Sequence, residues 1–260
     1  MPSHAENILF KKQLSFGYTS KKTLAHNGFI AKTHTPLYQG NFEFTSKTFK
    51  GATSVGIYKN DTIYLDDTYI HSTFGSASFG AGSIERNWSF SPNSSLILSK
   101  NARPFPSVYF KLVDNDGFNM NWLSAVNNVS IEMFNGIPES NENPKNSMLF
   151  GLRMTLSIND FDLEGVRTSQ WGGNGHSSNA SIIPKIIFGD SNEGNHANIN
   201  QMAGIGLSYS SPKKTFPLRI FGQVVGEDEA GNLPSCLMYL LGLEWNGPFF
   251  GKKSNIGIET

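Results

Sequence analysis

The chain has 260 residues with 21 acidic and 21 basic side chains, a balance that sets up no net field for nucleic acid or for an acidic partner. Only 16% of its residues are charged, against 26 glycines and 20 phenylalanines, which is unlike an ordinary cytoplasmic globular protein and points to β-structure. A single cysteine, Cys236, excludes an internal disulfide framework and any multi-cysteine zinc or iron–sulfur site.

Met1 to Asn7 lacks the basic start and the apolar core of about 7–15 residues that mark a secretory signal. No apolar run reaches the roughly 18 residues of a transmembrane helix, whereas a spanning β-strand needs only about 9–11 and leaves a weaker trace. The first clear alternation is Val129, Ile131 and Met133 against Ser130 and Glu132, which predicts a strand. Ile137 to Asn146, rich in Asn, Pro and Glu, is then a polar linker. Next, Phe150, Leu152, Met154, Leu156 and Ile158 alternate with Gly151, Arg153, Thr155 and Ser157, predicting a strand near 147–158 with one apolar and one polar face. Asn159-Asp160 is a tight turn into a partner strand near 161–168.

A long excursion follows from Ser169 to Asn198, containing Gln170-Trp171-Gly172-Gly173-Asn174-Gly175 and a short helix near Ile182–Ile187. Ala203, Ile205, Leu207 and Tyr209 alternate with Gly204, Gly206, Ser208 and Ser210, and Ser211-Pro212-Lys213-Lys214 is another tight turn. Phe216 to Val225 and Leu237 to Trp245 are apolar on both faces, although Arg219 and Gln223 share one face of the first. Gly226 to Ser235 between them is longer than a tight turn. The last residues, Ile256 to Thr260, stop on an alternating run, which suggests a fragment cut in mid-sheet.

Outer-membrane barrels pair short turns at one end with long loops at the other. If every strand crosses the sheet, the 137–146, 169–198 and 226–235 connections all fall at one end, opposite both tight turns. That end is expected to be the outer one and to offer a polar ligand surface. Alternation by itself serves a soluble β-sandwich equally well.

Specific strings go further. Arg167 to Gly175, Ile187-Phe188-Gly189-Asp190-Ser191-Asn192, Asn200 to Gly204, Phe221 to Ser235 and Leu241-Gly242-Leu243-Glu244 resemble successive blocks of the Wzi-type capsule assembly family. Ser94 to Pro104 and Met148 to Arg153 are similar to earlier blocks in the same order, so the resemblance runs from about Tyr64 to Glu244. Asn87-Trp88-Ser89-Phe90-Ser91-Pro92 departs from the paired tryptophan and Gly-Pro-Gly common at that place in the family.

The resemblance implies an all-β fold, an antiparallel up-and-down meander forming a partial transmembrane β-barrel. Residues 1–60 would be an N-terminal segment, partly irregular, and 61–260 the partial barrel. It also implies an occluded lumen, outer-membrane localisation at the surface of a Gram-negative cell, and lectin-like, non-catalytic attachment of capsular polysaccharide. Expected partners are that polysaccharide and outer-membrane lipid, with no nucleic acid, no cofactor and no metal, and with a monomer favoured for the full-length protein. A porin-like channel and a soluble β-sandwich lectin or glycosidase are the alternatives.

The candidate ligand residues are Arg167, Gln170, Trp171, Gln223, Glu227, Asp228 and Glu229. Trp171 beside glycines suits a flat ring offered to a sugar, or an aromatic-belt position at the membrane boundary. Arg167, Gln170 and Gln223 suit hydroxyls or uronates, or pairing within a polar network. Glu227-Asp228-Glu229 suits a cation bridging polymer charges, or a hydrated turn closed by Gly231.

Catalytic motifs fail on spacing. Asp114-Asn115-Asp116-Gly117 has Ala125 at the twelfth position of a calcium loop, where a glutamate is required. Gly173-Asn174-Gly175 lacks a third glycine at dinucleotide spacing, the histidines do not pair at helical spacing, and no Gly-x-Ser-x-Gly elbow occurs. Adjacent carboxylates on one turn do not flank a glycosidic bond, so no catalytic residue is assigned.

Overall fold

The computed structural model describes residues 9–18, 36–46, 48–57, 63–100, 103–114, 125–138, 145–175, 179, 181, 183–188, 200–211, 216–230, 233–249 and 252–260. Two compact units emerge: Met1–Arg86 with Lys100–Phe110 and Gly136–Pro138, and Asn87–Ser99 with Lys111–Asn135 and Glu139–Thr260. Both are antiparallel meanders in which strands pair with their chain neighbours.

In the first unit, β1 (Leu9–Tyr18) pairs with β2 (Pro36–Thr45), and β2 pairs with β3 (Phe49–Ile57). A short β4 (Ile63–Tyr64) returns along β3, which also pairs with β5 (Tyr69–Phe74), and β5 with β6 (Ala77–Gly82). The β4–β5 turn holds Asp66, whose carboxylate receives Arg103 Nη2 at 2.8 Å, and Asp67 at a φ of 60°.

Burial first, then the charge of neighbouring Glu85, pushes the Asp67 carboxyl up to about 6 from 3.8. The protonated form is the one the fold favours, so its stabilisation is complete below pH 3.8 and is lost as pH rises through about 6. Asp67→Asn, which tolerates the positive φ, is therefore expected to gain about 1 kcal/mol near neutral pH after discounting for solvent screening. Below pH 3.8 it should gain nothing. Urea melts of the folded protein at the two pH values check this.

The chain runs through β7 (Ser107–Asp114) and β8 (Val126–Gly136) into the second unit's long hairpins. β9 (Met148–Ile158) pairs with β10 (Phe161–Trp171) in register from Ile158↔Phe161 to Met148↔Trp171. Asn159 adopts a φ of 53° in the intervening turn and its amide donates to Asn127 Oδ1 at 3.0 Å. Asn is among the residues that tolerate this conformation best, so the predicted two-residue turn forms.

After β10 the excursion contains α1 (Ile183–Phe188), close to the helix expected from sequence. Then come β11 (Asn200–Ser210), β12 (Leu218–Ala230), β13 (Leu233–Phe249) and β14 (Lys252–Glu259), each paired antiparallel with the one before. Strands β9, β10 and β11 have 11 residues each and β13 has 17, enough for the roughly 9–11 of a membrane-spanning strand. The expected long 226–235 connection does not form. Strand β12 continues to Ala230, with register shifts between Glu227 and Asp228 and between Asp228 and Ala230, and β13 already starts at Leu233. A bulge lets a polar, glycine-containing stretch stay in the ladder.

Candidate functional site

The burial of the second unit's sheet is inverted relative to a soluble protein. Ile205, Tyr239 and Leu241 are 70%, 66% and 60% exposed, and Met154, Leu163, Leu207, Ile220 and Leu243 are also exposed. The registers place these residues on one common face. The opposite face carries Arg153, Glu164, Arg219, Gln223 and Glu244, and there Glu164, Gln223 and Glu244 are buried. A soluble β-sandwich would bury the apolar face and expose the polar one; an apolar surface turned outward suits hydrocarbon.

The polar face is covered by the segment Asn87–Ser99, which contains the stretch where the sequence departs from the family pattern. Gln223 is its main fastener. Its Nε2 donates to the Trp88 carbonyl at 2.6 Å and to Glu164 Oε1 at 3.0 Å, while its Oε1 accepts the Leu96 amide at 3.0 Å. Glu164, whose side chain is 0% exposed, also receives Arg153 Nη2 at 2.6 Å and Nε at 2.7 Å. Arg153 in turn donates to the carbonyls of Asn87 and Ser89 at 3.5 and 3.4 Å. The buried charge is thus paired, and its remaining hydrogen-bonding capacity is used on the covering segment.

Packing completes the fastening. Trp88 is buried edge-on against Phe134, with ring centroids 5.3 Å apart. Both rings rest over Gly151, where an added Cβ would lie 2.2 Å from Phe134 and 2.7 Å from Trp88. The absent side chain is what admits the two rings.

Further along the same face, Arg219 donates to Glu244 Oε2 at 3.1 Å and to Ser208 Oγ at 2.9 Å, and its guanidinium lies 5.4 Å from the Phe221 ring centre. Glu259 accepts the hydroxyls of Ser91 and Ser94, the latter at 2.6 Å.

Among the described residues, the predicted ligand side chains Arg167, Gln170, Trp171 and Gln223 take separate partners. Gln223 is in the network just described. Gln170 donates to Ser147 Oγ at 2.7 Å, and Arg167 donates to Gln201 on the apolar-face side of β10 and β11. Trp171 is 4% exposed: it packs on Phe150 with Met148, Leu152 and Ile183, and its Nε1 donates to Asn135 Oδ1 at 3.0 Å. Its ring is therefore enclosed rather than offered to solvent, because α1 brings Ile183 back onto it. Glu227 lies opposite Met202 and Cys236 in the ladder, and the side chains of Asp228 and Glu229 lie outside the described residues.

Of the three connections expected at one end, the 226–235 one is taken up by β12 and β13, and the other two touch at their described ends. The Asn174 amide donates to the Lys145 carbonyl at 2.9 Å, and Asn146 donates to Asn174 Oδ1 at 3.2 Å, so the 137–146 and 169–198 connections meet at one end.

Sequence reasoning missed Arg153, Glu164, Glu244 and Glu259. The first two carried a usable signal. A two-residue turn at 159–160 pairs Thr155 with Glu164 and Arg153 with Val166, placing Arg153 diagonally across from Glu164.

A family model described as capsule assembly protein Wzi matches residues 10–254. Among curated proteins, the chain is 27% identical over 166 residues to an "Uncharacterized 55.8 kDa protein in cps region" of Klebsiella pneumoniae, covering 63% of this chain and 33% of that one. A solved structure is described as Wzi of Escherichia coli, an outer-membrane protein involved in group 1 capsule assembly and a carbohydrate-binding β-barrel. It matches with a TM-score of 0.75 at 19% identity, covering 98% of this chain and 56% of that one. The chain therefore has the fold of part of that barrel, and spans about a third of the curated relative and 56% of the solved one.

Proposed function

Since this chain is a member of the Wzi capsule assembly family, we propose that it is part of an outer-membrane protein that holds capsular polysaccharide at the cell surface without catalysing a reaction. The observation that carries the proposal is the inverted sheet. Exposed apolar side chains on one face call for lipid, and a polar face closed by Asn87–Ser99 suits a rigid, occluded scaffold.

A transport channel calls for a polar face open to water, and the cover over Glu164 and Gln223 weighs against it. Glycoside hydrolysis calls for two carboxyl groups facing a substrate across a cleft. Glu164 is instead engaged by Arg153 and Gln223, which suits structure rather than proton transfer. Polymer contact falls more naturally to the end where the 137–146 and 169–198 connections meet.

The test is to delete the full-length gene and measure cell-retained against shed capsule. Retention is expected to fall and shed polymer to rise, with recovery on complementation. Unchanged retention would contradict the attachment role.

A further inference from the structure

Beside the fastening network, the second unit contains a cavity of about 350 Å³ between the covering segment and strands β12, β13 and β14. Its walls include Asn93, Phe221, Glu244, Asn255 and Glu259. Ligand sites span about 300–1,000 Å³, so this one suits a single sugar unit rather than an oligosaccharide. Its floor is open because Gly257, opposite Glu244 in the ladder, brings no side chain. Space is available there: an added Cβ would meet nothing nearer than Glu244 Cγ at 3.6 Å.

The lining has the amide and carboxylate groups that a pyranose's hydroxyls require, beside a Phe221 ring that is itself buried under Arg219 and over Gly242. Glu259 already shows how hydroxyls are received. One carboxylate oxygen accepts Ser91 and the other accepts Ser94 at 2.6 Å, so two hydroxyls are held side by side as a vicinal diol would be. Charge restricts the ligand further. Arg219 offsets Glu244 at 3.1 Å, whereas both described partners of Glu259 are neutral hydroxyls. The cavity therefore carries surplus negative charge and repels a uronate.

We propose that this cavity is a subsite for one neutral pyranose unit of the polysaccharide, an inference that rests on the polymer-holding function above. The sugar's hydroxyls bind Glu259, Asn255 and Asn93, either beside the two serines or in their place. The full-length protein in detergent micelles is to be probed by saturation-transfer NMR with the methyl α-glycosides of glucose, galactose and mannose, and with methyl glucuronide.

At least one neutral glycoside should receive transfer well above that of the glucuronide. Gly257→Leu, which fills the floor without a backbone clash, and Asn255→Ala should each remove most of it, with unchanged urea midpoints reporting an intact fold. Transfer from no neutral glycoside, transfer led by the glucuronide, or signals unaffected by both substitutions would overturn the subsite. Capsule retention is measured separately, so the attachment role and the subsite fail independently.

Discussion

Replacing Glu164 by alanine is expected to destabilise the folded protein by about 3–5 kcal/mol, the usual cost of removing one member of a buried ion pair. The carboxylate is fully enclosed and accepts from both Arg153 and Gln223. Its loss leaves the guanidinium without a counter-charge and the Gln223 amide short of an acceptor, both beneath the covering segment. The expected cause is thus an uncompensated buried charge rather than the lost attraction alone. This distinction is testable: the paired substitution Arg153→Met with Glu164→Leu removes both charges and should recover most of the loss. Urea midpoints of the wild type, the single variants and the double variant supply the cycle. A double variant no more stable than Glu164→Ala would show that the charges hold the segment by something other than mutual compensation.

The second large effect belongs to Trp88. Truncation to alanine removes a buried ring packed on Phe134 and is expected to cost about 3–5 kcal/mol. The complementary change, Gly151→Val, puts a Cβ into the volume held by both rings. It should cost about 1–3 kcal/mol by overpacking. The same contact is then probed by a deficit and by an excess of volume. An effect from Trp88→Ala but none from Gly151→Val would mean that the rings do not rest on β9 as described. An unchanged denaturant slope would confine both effects to the folded state.

Much of the second unit was legible in its alternation. The 147–158 strand, its turn at Asn159-Asp160 and the short helix after Trp171 all form close to where the sequence placed them. What alternation does not encode is which face is covered. Leu163 and Glu164 lie on opposite faces in a soluble sandwich and in a barrel alike, and only tertiary structure decides that Leu163 is exposed while Glu164 is buried. The fastening of Gln223 was hidden for a related reason: its partner Leu96 lies 127 residues away, and no local pattern links them.

Local composition misled in two places. Glycines after Trp171 suggested an exposed ring, but β10 runs on to pair Trp171 with Met148, and α1 returns Ile183 over it. Acidic residues from Glu227 onward suggested a loop, but pairing with the 17-residue β13 keeps that stretch in the ladder through a bulge. In each case the length of a neighbouring strand overrode the preference of a few residues, as strand propensity commonly yields to its surroundings.

Everything proposed about function depends on the apolar face being the one that meets lipid. Spin labels on single cysteines at Ile205, Tyr239, Leu241 and, as a turn control, Asn159 test this in lipid vesicles, with exposed Cys236 first replaced by serine. Collision rates with oxygen, which partitions into hydrocarbon, are compared with those of a water-soluble nickel chelate. The inverted sheet predicts oxygen-dominated collisions at 205, 239 and 241 and nickel-dominated collisions at 159. Nickel collisions as frequent at 205 and 241 as at 159 would place that face in water and contradict the membrane barrel.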